Sequence, residues 1–189
     1  MPARMAAPLV LLLAAFPALA QHSPYAGQET REVKALSPEE IAELLDGRGM
    51  GMAKAAELNA YPGPAHVLDL GAQLGLDDRQ RDALQAVKQA MTAAARSLGA
   101  DILGRERELD RMFAEGRADR ETVARTAEDI GRLQGRLRGV HLAAHIETRA
   151  LLSAAQIRRY DELRGYRAGG GAAGHHGPGH GHARHGANP

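Results

Sequence analysis

From Asp78 to Glu115 the polar surface of the chain is interrupted at alternating intervals of three and four by Leu84, Val87, Met91, Ala94 and Leu98. That spacing predicts one long amphipathic helix. Gly116 stops it, Asp119 is placed to cap a second helix, and this one runs to about Leu152. The second helix turns Val123, Ala127, Ile130, Leu133, Leu137, Val140, Ala144, Thr148 and Leu151 toward its partner. A link of a few residues between two such helices demands an antiparallel hairpin. At the rise of an α-helix each arm is roughly 50 Å long. Rods this slender enclose no core alone, so short helices on either side cover part of the hairpin and a second subunit covers the rest, as a homodimer.

Ahead of the hairpin the pattern is broken into pieces. Leu36-Ser37-Pro38-Glu39-Glu40 writes a helix start, with Ser37 as N-cap, Pro38 in the first turn and Glu40 closing a capping box. Ile41, Leu44 and Leu45 give that helix an apolar stripe, and the glycines at 47, 49 and 51 break it. Met52 to Leu58 forms another turn or two, Tyr61 to Pro64 is a turn, and His66 to Leu74 reads as one short helix. The fold class predicted is all-α: a long antiparallel helical hairpin with short flanking helices.

Two starts share one signature. Leu76-Asp77-Asp78-Arg79-Gln80 and Leu152-Ser153-Ala154-Ala155-Gln156 each read Leu, capping residue, two variable positions, Gln, and each has a bulky residue four after the Gln, Leu84 and Tyr160. The cap hydroxyl or carboxylate accepts from the Gln backbone N–H while the Gln side chain reaches back. The pair resembles the LTxxQ motif of the Spy/CpxP family of bacterial periplasmic proteins, which also includes zinc-resistance-associated proteins and metal-sensing periplasmic domains. The resemblance covers roughly Gly63 to Tyr166. Asp77 and Ser153 stand where the motif has Thr, and both are good caps.

Composition supports the helical reading and narrows the setting. Ala and Leu carry the apolar content, aromatics make up 3% of the chain, and Phe113 is the only Phe beyond residue 20, a composition poor for strands. Arg4, the apolar run Ala6 to Leu19 and the site Ala18-Leu19-Ala20 predict a signal peptide over residues 1–20, cut before Gln21, with retention as an anchor the alternative. Gln21 to Ala35 is then a flexible arm, 36–166 the helical domain, and 167–189 a disordered His/Gly-rich tail. Without Arg4 the 24 bases fall to 23 against 23 acids, so the mature chain is neutral and nucleic acid is a poor partner. With no cysteine there are no disulfides, thiol chemistry or Cys-linked lipid.

The candidate chemistry is histidine. His141 and His145 lie one helical turn apart, at the edge of the seam, and a chain folded back from Gly75 brings His66 level with residues 146 to 150. These three, with Glu147 or water, form a candidate Zn²⁺ or other divalent site; amphipathic edge residues packing on Leu and Ala is the favoured plain reading. For His175, His176, His180, His182 and His185 in the tail, metal binding is favoured over mere solvation. Met50 and Met52 form an M-x-M pair of the kind that attracts Cu(I), with gap-filling the favoured reading.

No Gly-rich phosphate loop, G-x-S-x-G, H-E-x-x-H or carboxylate pair is found, and a thin hairpin offers no deep pocket, so an enzyme is not expected. The resemblance implies a homodimer in the periplasm whose cupped surface holds unfolded or partly folded proteins without ATP, with Leu and Met patches as contact and Arg/Glu flanks as reversible attraction. It also implies divalent-metal binding under envelope or metal stress. The rival expectation is a heavy-metal sensor or metal buffer without clients, speaking to a sensor kinase or other signalling protein.

Overall fold

Four of the helix starts are set by side-chain caps. In the computed structural model, which describes residues 23–167, Ser37, Asp77 and Ser153 each close a full capping box with Glu40, Gln80 and Gln156. Asp119 accepts from the backbone N–H groups of Glu121 and Thr122 instead, and these bonds hold its carboxyl below the ordinary carboxylate pKa. Each cap satisfies donors that the first helical turn leaves without partners. The helices that follow are α1 (Pro38–Asp46), α2 (Lys54–Glu57), α3 (Pro64–Asp69), α4 (Gly71–Leu74), α5 (Asp78–Ala114), α6 (Arg120–Ala150) and α7 (Ala154–Leu163). The described residues contain no strand. None of their helices is long and apolar enough to cross a membrane.

The two long helices, α5 and α6, pack against each other as the hairpin, with Gly116 at φ 64 in the turn between them. The short helices lie on its flank: α1 and α3 on α5, α2 and α3 on α6, and α7 on α4. The signal segment and the tail histidines His175, His176, His180, His182 and His185 lie outside the described residues. Residues 23–36 form turns rather than helix, and the end of this arm is tied to α5: Val33 is buried, Lys34 pairs with Asp110 at 3.1 Å, and Glu32 pairs with Arg107.

The interior is divided in two. At the open end of the hairpin Val67, Leu74, Leu76, Leu84, Leu152 and Tyr160 form one cluster. Further along, Leu44 of α1 packs with Ala95, Leu98 and Ile102 of α5 and Leu137 of α6. The second cluster depends on a glycine. A Cβ on Gly99 would sit 2.1 Å from the Leu44 carbonyl oxygen, so α1 lies backbone to backbone on α5 only because Gly99 has no side chain.

Two details differ from the pattern read in the sequence. Residues 66–74 are two short helices, with the break at Leu70 (φ −93, ψ 10). The chain bends there to seat Gly71, where a Cβ would come 2.9 Å from Arg81 Nη1 and 3.3 Å from Leu76 Cδ1. On α6, Ala127 is exposed and Thr126 buried, and the buried stripe runs through Ile130, Leu137, His141, Ala144, His145 and Thr148. The histidines therefore lie in the covered face rather than at its edge. Helices α2 and α3 pack against α6 and close the flank that a bare hairpin would leave open.

Candidate functional site

The polar centre of the fold is a carboxylate, Glu57, at the end of α2. Its side chain is 11% exposed, and a carboxylate that far from water must be held by donors. Gly63 donates its backbone N–H to Oε2 at 3.1 Å, Tyr166 donates its hydroxyl to Oε1 at 3.1 Å, and the Tyr160 hydroxyl also donates to Oε1. Arg164 Nε is 3.7 Å from Oε1. Four segments thus meet on one side chain: α2, the turn before α3, α7 and the residues just after it. Burial, then the bond to Glu57, pushes the Tyr160 phenol well above its ordinary pKa, so it stays a donor.

Two of the histidines singled out from the sequence reach the same carboxylate. His66 Nδ1 is 3.5 Å from Glu57 Oε1, and His145 Nδ1 is 3.6 Å from Oε2. They are held differently. His66 is exposed, with Nδ1 3.4 Å from the Tyr160 hydroxyl. His145 is buried, and its Nδ1 lies 2.7 Å from the Tyr61 carbonyl oxygen. A carbonyl only accepts, so Nδ1 carries the proton and donates. Its Nε2 packs on Gly63, where a Cβ would come within 3.0 Å.

The turn preceding α3 is clamped from the same helix. Arg149 donates to the Ala60 carbonyl and lies 4.5 Å over the Tyr61 ring, while Ala60 itself is left-handed at φ 60. His141 stands one turn back on α6, 3% exposed, beside Gly49 rather than Glu57. Burial first, then the neighbouring His145, lowers its pKa.

The structure therefore brings His66 and His145 together on Glu57 and sets His141 apart. Among the described residues no group of three or more His, Cys, Asp or Glu side chains is arranged to hold a metal ion. The donor set His66, His141, His145 does not form a ready divalent site as it stands, because His141 faces a different loop and His145 Nε2 is packed on Gly63. Glu57 was not among the residues picked from the sequence. Its only signal there was a lone acid closing an Ala-rich turn, which pattern alone cannot tell from a surface residue.

A groove of about 570 Å³ opens over this centre, lined by Gly49, Met50, Leu58, His66, His145 and Tyr166 among others, and mostly apolar. It is shallow and open, formed where the α1–α2 loop crosses α6.

The two Leu-x-x-x-Gln elements meet each other. Gln80 and Gln156 exchange amide hydrogen bonds at 3.0 Å each way, Gln80 Nε2 also donates to the Leu151 carbonyl at 2.9 Å, and Gln156 Nε2 to that of Leu74 at 3.4 Å. Leu76, Leu84, Leu152 and Tyr160, the apolar members of both elements, sit in one cluster. A helical hairpin whose open end is joined by two mutually bonded capping motifs defines the class. The family model described as LTXXQ motif family protein matches residues 65–164, and the chain belongs to that family, the Spy/CpxP type. No curated protein and no solved structure matches the chain.

Proposed function

We propose that this protein is a periplasmic, ATP-independent, chaperone-like stress protein that works as a homodimer, is not an enzyme, and also binds divalent metal. The observation that carries the reading is apolar surface left in water on a stiff helical scaffold. Phe113 near the hairpin turn is 62% exposed, Ile146 on α6 60%, and Leu58 beside the groove 54%. All three are more exposed than covered and lie outside both core clusters, which supports reading them as contacts for a partner. Charged neighbours flank them, among them Arg111, Glu115, Arg117 and Glu147. Client segments adsorb on the apolar patches and are held reversibly by these charges.

Dimerisation is supported by the outward face of α6. Gly131, Gly135 and Gly139 recur every fourth residue and nothing lies within 4 Å of the position a Cβ would take at any of them. With Leu142 and Ile146 they form one face. Three glycines cost the helix roughly 2–3 kcal/mol relative to alanine, and close approach of a second helix offsets that cost. The metal-binding part of the proposal rests on the five histidines of the tail.

The test is suppression of aggregation. The mature chain should protect an unrelated unfolding protein at near-stoichiometric ratio without nucleotide, and replacing Phe113 and Ile146 by Ser should weaken protection while the fold persists. Lack of protection with and without zinc would leave the sensor or buffer reading in its place. Sedimentation should give a dimer that Gly135→Glu dissociates. Replacing the tail histidines by Gln should abolish most zinc binding.

A further inference from the structure

The arm ahead of α1 shows what one face of α5 can hold. Its backbone hydrogen bonds are internal turns, Ala26 to Ser23, Gln28 to Tyr25, Arg31 to Gln28 and Leu36 to Val33, and among the described residues none reaches another element. Side chains alone therefore seat it. Val33 is 1% exposed although it lies in no helix. On either side of it Glu32 pairs with Arg107, and Lys34 with Asp110 at 3.1 Å. A base and an acid on α5 thus grip an acid and a base that bracket one buried aliphatic residue.

The face of α5 involved is continuous. Gly99, Leu103, Arg107 and Asp110 recur at helical spacing and share one side of the helix. Gly99 lies against Leu44 of α1, and Leu36 packs on the cluster that contains Ile102. The chain from Leu36 to Val33 therefore runs along the turns that carry Leu103, which is 2% exposed and belongs to neither core cluster. The seating is incomplete. A cleft of about 390 Å³ stays open between Glu32 and α5, lined by Gly104, Arg107, Asp110 and Arg111. Nothing lies within 4 Å of the position a Cβ would take on Gly104. Glu32 and Lys34 are exposed, and ion pairs of that kind hold weakly.

We propose that this face of α5 is a binding surface for short non-helical segments of unfolded chains in which an aliphatic residue stands between an acid and a base, and that residues 32–36 occupy it as an internal competitor. The partner's chemistry is read from the present occupant: Arg107 takes the acid, Asp110 the base, and the apolar strip under the arm the aliphatic side chain. The inference rests on the client-holding reading above and names the class of segment held. A client must displace the arm, so the arm sets the threshold for binding.

The experiment uses the mature full chain and a fluorescein-labelled peptide of residues 28–37, followed by anisotropy, with the helical content of every variant matched by circular dichroism. Glu32→Ser/Val33→Ser/Lys34→Ser removes the arm's contacts without altering a helix. The peptide should bind this variant about tenfold tighter than the unaltered protein, where few molecules have the surface free. Adding Arg107→Glu should abolish the binding, and a peptide carrying Glu32→Arg should restore it. Equal affinity for the unaltered protein and the triple variant, no binding to either, or a charge exchange that restores nothing would overturn the proposal. The aggregation assay is independent of this titration. Peptide binding without protection of an unfolding protein would leave this surface standing and remove the client-holding reading, and protection without peptide binding would do the reverse.

Discussion

Gln80 and Gln156, 76 residues apart, donate to each other's side-chain carbonyl at 3.0 Å in both directions. Each Gln also closes the capping box of its own helix. One amide therefore serves a local bond that starts a helix and a long-range bond that joins the ends of the hairpin. Replacing either Gln by Ala should destabilise the fold by about 1–2 kcal/mol, since the partner amide is left half-buried with unmet groups. The double variant should cost less than the sum by about 0.5 kcal/mol or more. Urea midpoints of the four proteins check this, and strict additivity would mean the pair is not coupled.

Gly99 and Gly104 lie on the same helix and should respond in opposite directions. Alanine at Gly99 drives a methyl into the Leu44 carbonyl and must displace α1, so a loss of about 2 kcal/mol or more is expected. At Gly104 nothing lies within 4 Å, and alanine should gain up to about 1 kcal/mol of helix propensity. Thermal unfolding of the two variants decides it.

Thr148 is fully buried and its Oγ1 has no partner. Valine has nearly the same shape without the hydroxyl, so Thr148→Val should stabilise by about 1 kcal/mol. A decrease in the denaturation midpoint would show that the hydroxyl is satisfied in solution.

Stability should fall on mild acidification because of His141. Its folded pKa is depressed below 6.5 by burial. As pH drops through 6.5 the unfolded chain takes up a proton that the folded chain refuses, so unfolding is favoured, and the loss stops growing once pH falls below the folded value. Glu106 on α5 acts in the opposite sense: burial raises its pKa, so its penalty on the folded state is present above 4.5 and disappears as pH falls below that. His141→Gln should flatten the midpoint-against-pH curve between about pH 7 and 5, and an unchanged slope would place the titration elsewhere.

The hairpin, the four capped starts and the break after α1 were legible in the sequence, because caps and heptad-like spacing are local. Each needs only residues within a turn or two. The division of residues 66–74 at Leu70 was not legible, since it answers to Arg81 and Leu76 packing on Gly71. His141 and His145 were found by their spacing, but their burial was not, because the helices that cover them come from the other half of the chain.

What the sequence by itself determined is the set of helices and the two Leu-x-x-x-Gln elements with their local bonds. Tertiary structure alone decided that those elements bond to each other, that Glu57 gathers Tyr160, Tyr166, His66 and His145, and that Gly49 is laid against His141. The physical reason is range. A cap or a stripe is fixed by the geometry of one helix, whereas the partners of a buried polar side chain are chosen by how several helices share one limited apolar surface.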